Sequence, residues 1–471
     1  MKMTLYSKGG AREVTGSRHF LDVGGELIQV DCGAFQGRRK EADEKNRTVF
    51  QPPEEISAVI LTHGHFDHCG LLPLLLKQGY RGNIYSTAAT RDIASLVMMD
   101  SARIQARDRE YLSKQAAKKN EPFTWQPLFD ETHVLAAVDH FVTLSYGREI
   151  PVTSRVRCEF FDAGHILGSS LASLVIRAED GKTSRVVFSG DLGRKGKPII
   201  RDPQKVPPPD FLVMESTYGN RLHESAEDSL DRLADVVTRT AQRGGKIIIP
   251  AFAVERTQEL VYYLHLLSDS SKIPNIPIYV DSPMATNATA IFQVHPECYD
   301  EEVSEAFLRH QKNPFGFNNL KYTMSVQESK DLNNLRGPAI IISADGMCEA
   351  GRVVHHLANS VEDARNTILI VGYMARDTLG RRIKEGRKEL RIMGSLLRMK
   401  AQVEELSTLS AHADYREIGE YITSLDTSRL KKVFLVHGEH DSQAHLKQHL
   451  LGLGVRAVEI VESEVKYGLE E

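Results

Sequence analysis

The chain has no Cys-x-x-Cys pair; its five cysteines, Cys32, Cys69, Cys158, Cys298 and Cys348, are scattered along 471 residues. That spacing excludes a disulfide framework and a thiolate zinc site, and fits a reducing compartment. No run approaches the ~20 apolar residues that a membrane-spanning helix needs. Met1 to Tyr6 lead straight into a glycine turn instead of the apolar core of a signal peptide. A cytoplasmic protein is expected. Nor is there a basic excess: 59 lysines and arginines face 63 aspartates and glutamates, a formal net charge of −4, unlike a generic nucleic-acid binder. Internal repeats, low-complexity tracts and an added RNA-binding module are also missing. What remains is a chain long enough for two domains, each with its own core.

Against these absences stands one dense feature. His63-Gly-His65-Phe-Asp67-His68 packs four metal-type side chains directly after the apolar run Ser57 to Thr62, which reads as a buried strand. Three imidazoles and a carboxylate are costly to bury unpaired, and alternate residues of a strand point to opposite faces, so a loop at a strand end is the economical placement. Imidazole nitrogen suits divalent zinc, and a carboxylate among the ligands tolerates a second ion nearby. Each zinc wants about four ligands, so further donors are needed. His165 in Phe161-Asp-Ala-Gly-His165, Asp191 in Val187-Phe-Ser-Gly-Asp191 and His437 in Val433-Phe-Leu-Val-His437 each follow a short apolar run and sit beside glycine, the same strand-end pattern repeated.

These residues resemble the metallo-β-lactamase superfamily of metal-dependent hydrolases. Glu215 in Val213-Met-Glu-Ser-Thr-Tyr-Gly219 and His412 in Leu409-Ser-Ala-His-Ala-Asp414 resemble the extra acidic and histidine motifs of its β-CASP branch, whose members cleave nucleic acids. So do Pro250-Ala-Phe-Ala-Val-Glu-Arg256, Ile342-Ser-Ala-Asp-Gly-Met347 and Val371 to Gly380. The similarity covers almost the whole chain and is nearest the RNA-cleaving members related to the nuclease subunit of the messenger-RNA 3′-end cleavage machinery and its bacterial relatives. It implies two zinc ions, one on His63, His65 and His165, the other on Asp67, His68 and His437, with Asp191 bridging. It also implies that Asp31, in the family's first motif, supports the site through hydrogen bonds, and that a histidine at the last motif goes with RNA as substrate.

Phosphodiester hydrolysis needs a strong nucleophile at neutral pH, and a water held between two cations can lose its proton at pH ~7 instead of ~16. Asp67 is expected to hold the attacking oxygen in line as well as bind metal. The leaving alkoxide needs a proton; His412 is the candidate donor, with Glu215 orienting its ring and favouring the imidazolium. Both have plainer readings. Ser410 or Asp414 could cap a helix beside a merely exposed His412, and Glu215 could be a strand-end carboxylate bonded to a turn.

The implied fold class is α/β: an αββα metallo-β-lactamase sandwich, 1–219 and 395–471, interrupted by a β-CASP domain of parallel α/β type at 220–394, with the site in a cleft that admits a single strand and opens to admit folded RNA. Independently, Leu230, Leu233, Ala234, Val237 and Ala241 recur at helical spacing from Ser225, and the runs 246–250, 277–280, 339–342 and 367–371 alternate with helices as in a parallel sheet. A long helix from about Ala89 to Lys119 carries a stripe of Ile93, Leu96, Val97 and Ile104. Ser343, Asp345, Gly346 and Gly351 sit past a strand, where backbone N–H groups could hold RNA phosphate or merely form a tight turn. Basic candidates for RNA contact are Arg381 and Arg382 within Gly380 to Lys388, flanked by Arg376 and Arg391, and Gly37-Arg-Arg-Lys40.

Departures from the family pattern are Arg18-His19 after Ser17, Glu255 where glycine is common, and Arg376-Asp377; an extra carboxylate near a phosphate path is expected to weaken RNA affinity. The KH extension of some archaeal relatives is not expected. The leading expectation is a zinc-dependent ribonuclease of single-stranded RNA, endonucleolytic, with 5′-to-3′ exonuclease activity left open. The rivals are a thioesterase or lactonase of the same superfamily, and a non-catalytic RNA-binding subunit. A homodimer is compatible with the sequence.

Overall fold

The computed structural model describes residues 2–469 apart from 38, 49–50, 179–180, 224–226, 311–312, 373, 375–376 and 407–409. Arg38, Ser225 and Arg376 therefore lie outside the described residues, as does the side chain of Arg39. The chain divides into two compact units, one of residues 1–222 with 411–471, the other of residues 223–410.

The first unit is built on two seven-stranded sheets. One runs in the order Tyr467–Gly468, Met3–Ser7, His19–Val23, Glu26–Val30, Ile56–Ile60, Ile84–Ser86, Phe141–Thr143; the other Val458–Ile460, Lys432–Leu435, Phe211–Met214, Thr183–Phe188, Ser170–Arg177, Val156–Asp162, Ile150–Pro151. Period-two alternation sorts their side chains. Leu5, Leu21, Ile28 and Ile60 from one sheet and Phe160, Leu174, Val186, Phe188, Val213 and Phe434 from the other share a single apolar core. The residues between them, Val187, Leu212, Val433 and Leu435, turn outward into a second core with Ile418, Ile422, Leu446 and Leu450 of the helices Tyr415–Ser424 and His440–Gly452. Helices Leu72–Lys77, Ala88–Lys119 and Glu131–Asp139 follow the strands of the first sheet, giving the αββα sandwich.

The long helix spans Ala88–Lys119, N-capped by the Thr87 hydroxyl and closed by Asn120 in a left-handed conformation. Ile93 and Val97 are buried as the stripe requires, whereas Ile104 is 43% exposed, beyond Ala102, the last buried residue of the helix.

The second unit holds a six-stranded sheet, all parallel, in the order Leu320–Tyr322, Ile278–Val280, Ala339–Ser343, Lys246–Pro250, Thr367–Ile370, Gln402–Glu405. Ile248, Ile341, Ile368 and Ile370 pack on the helices Arg352–Ser360 and Leu379–Lys384, while the intervening Ile247, Ile249, Ile340 and Ile342 are buried on the opposite face. Near-continuous isoleucine runs are what a sheet covered on both sides requires. Gln402–Glu405 pairs in parallel with Thr367–Ile370 as an edge strand, and by its contacts this unit extends to 410.

Candidate metal centre

Strands Val156–Asp162, Thr183–Phe188, Phe211–Met214 and Lys432–Leu435 of the second sheet all point the same way, and the segments leaving their C-terminal ends carry His165, Asp191, Glu215 and His437. Glu26–Val30 and Ile56–Ile60 of the first sheet lie parallel, and Asp31 and His63 follow them. The short helix Phe66–Cys69 turns Asp67 and His68 to the same place. Its backbone is clamped by Ser17 N–H to the Asp67 carbonyl at 2.9 Å and Cys32 N–H to the His68 carbonyl at 2.7 Å. The approach is close: a Cβ on Gly33 would stand 1.6 Å from the Asp67 carbonyl oxygen, and one on Gly193 1.6 Å from that of Gly164, so both positions require glycine. Asp31 and His437 adopt left-handed backbone, φ 62° and 48°, strain of the kind held where surrounding structure fixes it.

All seven expected donors converge. His63 Nε2 stands 3.1 Å from His65 Nδ1, which is 3.2 Å from His165 Nε2. Asp191 Oδ2 is 3.4 Å from both His63 Nε2 and His165 Nε2. Beside this set, His68 Nε2 is 3.4 Å from His437 Nε2, which is 3.5 Å from Asp67 Oδ2. Asp191 Oδ1 lies 3.4 Å from His68 Nε2 and 3.2 Å from His437 Nδ1. Four donors each ~2.0–2.1 Å from a central zinc stand about 3.3 Å apart at the corners of a tetrahedron, so the first set has the spacing of a zinc site. Asp191 Oδ1 is buried and accepts no hydrogen bond despite these two nearby nitrogens; the donors aim at shared centres more than at one another. Burial drives His65 down to about 3 and lowers His63 and His165 too, leaving the neutral imidazoles that ligate metal. In spite of burial, the His437 hydrogen bond and neighbouring imidazoles hold Asp67 ionised.

The polar surroundings fix the rings. Asp31 Oδ2 accepts from His68 Nδ1 at 2.8 Å, while Oδ1 accepts the Thr62 N–H at 2.9 Å. The Thr62 hydroxyl lies 3.1 Å from His63 Nδ1, and the Thr217 hydroxyl 3.1 Å from His437 Nδ1. Sequence reasoning gave neither threonine a role; the signal was adjacency, Thr62 directly before His63 and Thr217 two after Glu215. Such partners set tautomer and orientation.

Next to Asp191 stands a second constellation. Glu215 is fully buried and accepts the Leu192 N–H at 2.6 Å and His412 Nδ1 at 3.1 Å; His412 Nδ1 is 3.8 Å from Asp191 Oδ2. Burial would strip the proton from His412, but Glu215, with Asp191 and Asp67 behind it, outweighs burial and raises it to about 9. Asp414 caps the helix Tyr415–Ser424 in a capping box with Glu417, while Ala413 N–H bonds the Leu192 carbonyl at 2.8 Å and holds His412 against Glu215, so His412 is not a merely exposed side chain beside the cap.

The candidate phosphate residues of the second unit are brought near one another, but their polar groups are largely spent. Ser343 is fully buried and its hydroxyl donates to the Asp281 carbonyl at 2.9 Å. Asp345 accepts the N–H groups of Met347 at 2.8 Å and Glu349 at 3.2 Å, so those amides close a tight turn instead of presenting themselves to phosphate. The Gly380 N–H bonds the Met347 carbonyl at 3.1 Å, seating the helix of Arg381 and Arg382 beside that turn. Arg381 pairs with Glu385 at 2.8 Å, and Arg382 donates to the Thr378 carbonyl at 3.3 Å. Glu255 has φ 67°, the left-handed conformation that suits glycine there, and is 4% exposed; it is not the exposed carboxylate that would repel RNA. Arg18 is buried and donates to the Gly33 carbonyl at 3.0 Å.

Comparison with known proteins agrees with this geometry. Residues 19–244 match the metallo-beta-lactamase superfamily, 257–383 the Beta-Casp domain, and 396–459 the Zn-dependent metallo-hydrolase RNA specificity domain. A ribonuclease of Thermus thermophilus is 35% identical over 93% of this chain and 94% of its own length. The transcription termination factor FttA of Methanosarcina mazei is 33% identical over 92% of the chain, which spans 66% of that longer protein. A crystal structure of a protein of unknown function from Enterococcus faecalis shares the fold, with TM-score 0.55 at 13% identity over 99% of this chain and 100% of that one. The chain belongs to the β-CASP family of metal-dependent, RNA-processing hydrolases within the metallo-β-lactamase superfamily.

Proposed function

We propose that the chain is a ribonuclease that hydrolyses phosphodiester bonds of single-stranded RNA with two zinc ions per chain, cutting internally. His63, His65 and His165 would hold one ion, Asp67, His68 and His437 the other, with Asp191 between them. When bound, the pair supplies acidified water and positive charge for a phosphate. The chain's own groups do the rest. Asp67, ionised and fixed on a helix turn, orients the attacking oxygen. With Nδ1 of His412 committed to Glu215, the proton delivered to the leaving alkoxide is the one on Nε2, and Glu215 keeps that ring both charged and aligned.

The observation that carries this reading is the juxtaposition of the seven-donor cluster with the Glu215–His412 pair, whose His412 Nδ1 is 3.8 Å from Asp191. A compact esterase requires neither that pair nor a second α/β unit. RNA as substrate is supported by the matched RNA specificity domain and by the names of the relatives. Five free, buried cysteines support a cytoplasmic setting, and no helix among the described residues is long and apolar enough to cross a membrane. Incubation of the zinc-loaded chain with a single-stranded RNA labelled at each end in turn, beside thioester substrates, tests the proposal. Internal RNA fragments are expected; release of mononucleotides alone points to exonuclease action, and turnover of thioesters without RNA cleavage overturns it.

A further inference from the structure

Among the described residues, the exposed large apolar side chains of the second unit are Phe252, Leu266, Val294, Met324, Val326, Met393 and Leu396. Phe252 is the aromatic one, 46% exposed. It leaves the C-terminal end of the strand Lys246–Pro250, the end at which a parallel sheet meets its ligands. Its backbone is pinned: the Phe252 carbonyl accepts both the Thr257 N–H at 3.2 Å and the Thr257 hydroxyl at 2.8 Å, and Ala251 N–H bonds the Ser343 carbonyl at 3.1 Å. A ring on so fixed a backbone loses little entropy when something lies against it.

Gly346 borders that ring. A Cβ there would stand 3.3 Å from Cδ2 and Cε2 of Phe252 and 3.2 Å from its backbone nitrogen, tight enough to crowd the aromatic. Met347, the next residue, is bonded through its carbonyl to Gly380, whose helix carries Arg381 and Arg382 and leads on to Arg387 and Lys388. An exposed aromatic face on a pinned backbone, next to a glycine and a basic helix, is a combination with which proteins hold single-stranded nucleic acid. The ring stacks on a base and the cations follow the backbone, in a way tolerant of sequence because every base has a π face.

We propose that Phe252 is a base-stacking residue of this protein, a nucleobase of single-stranded RNA lying against its ring beside Gly346. The inference rests on RNA being the substrate. It assigns the carbon surface at this strand end to binding, a contact that the hydrogen bonds of Ser343 and Asp345 do not supply.

The test compares the zinc-loaded chain with Phe252→Ala and Phe252→Trp on a defined single-stranded oligoribonucleotide and on a series in which one position at a time is abasic. Stacking on an aromatic predicts that Phe252→Ala raises KM about tenfold or more, with a much smaller change in kcat, and that Phe252→Trp restores KM. One abasic position should cost the parent chain a similar factor and cost Phe252→Ala almost nothing further. Unchanged KM in Phe252→Ala, or an abasic penalty that persists in it, overturns the stacking assignment while leaving the nuclease reading intact. A parent chain that cleaves none of these RNAs overturns both.

Discussion

His412 and Glu215 form a two-point pair, with Nδ1 of the imidazole 3.1 Å from one carboxylate oxygen and 3.2 Å from the other. The carboxylate is fully buried and anchored by the Leu192 N–H, so the ring is oriented by a group that cannot itself swing away.

Replacing His412 by alanine should lower kcat by about 100-fold to 10,000-fold, the usual worth of a positioned general acid, while zinc content stays near that of the parent. Glu215→Gln keeps the shape of the acceptor but removes its charge, and should cost less than His412→Ala. Rate measurements on one RNA, paired with elemental analysis of each variant, check this; unchanged rates for His412→Ala remove it from the mechanism.

Asp31 holds Nδ1 of His68 and the Thr62 amide at once. Asp31→Ala should therefore weaken zinc affinity by about 10-fold to 100-fold, read by competition with a chromophoric chelator. An affinity equal to that of the parent would show that His68 needs no such support.

The donors were legible before the fold was known because four motifs share one local signature, a polar metal-type residue beside glycine just after an apolar run. Six strands end where His63, His165, Asp191, Glu215, His437 and Asp31 begin, and the fold brings the seven donors together. Less legible were Thr62 and Thr217: a hydroxyl at a strand end is ordinary, and only the ring folded against it gives it a task. Asp345 shows the converse, a polar group that bonds the amides of its own turn, while the Ser343 hydroxyl reaches the Asp281 carbonyl after a neighbouring strand. The strand Gln402–Glu405 is hard to read from sequence, since an edge strand with two glutamates shows no buried alternation. Ile104 keeps the helical spacing of a core residue but lies beyond Ala102, where burial along the helix ends.

Stripping the metal with a chelator should abolish RNA cleavage and lower the thermal midpoint, because ions that bind the folded chain alone stabilise it. Re-addition of zinc should recover both. Full activity in excess chelator would exclude metal from the reaction.

Asp162, three residues before His165, offers a pH test. Burial, only partly offset by the Gly164 N–H and Arg201, raises its carboxyl to about 7. The folded chain thus holds a proton that the unfolded chain releases near pH ~4, so this group's contribution to stability declines as pH rises from about 4 to about 7 and is flat above that. Asp162→Asn keeps the acceptor for Gly164 and removes the charge. In chelator-treated protein its advantage over the parent should be small near pH 4.5 and reach about 1 kcal/mol or more by pH 8. A pH-independent difference in denaturation midpoints would contradict that sign.

On the proposed reading, seven side chains from distant parts of the chain grip a pair of cations. Anomalous diffraction at the zinc absorption edge on metal-loaded crystals tests it most directly. Two peaks are expected about 3.5–4 Å apart, one among His63, His65 and His165, the other among Asp67, His68 and His437, with Asp191 touching both. A single peak, or none within reach of Asp191, would contradict it.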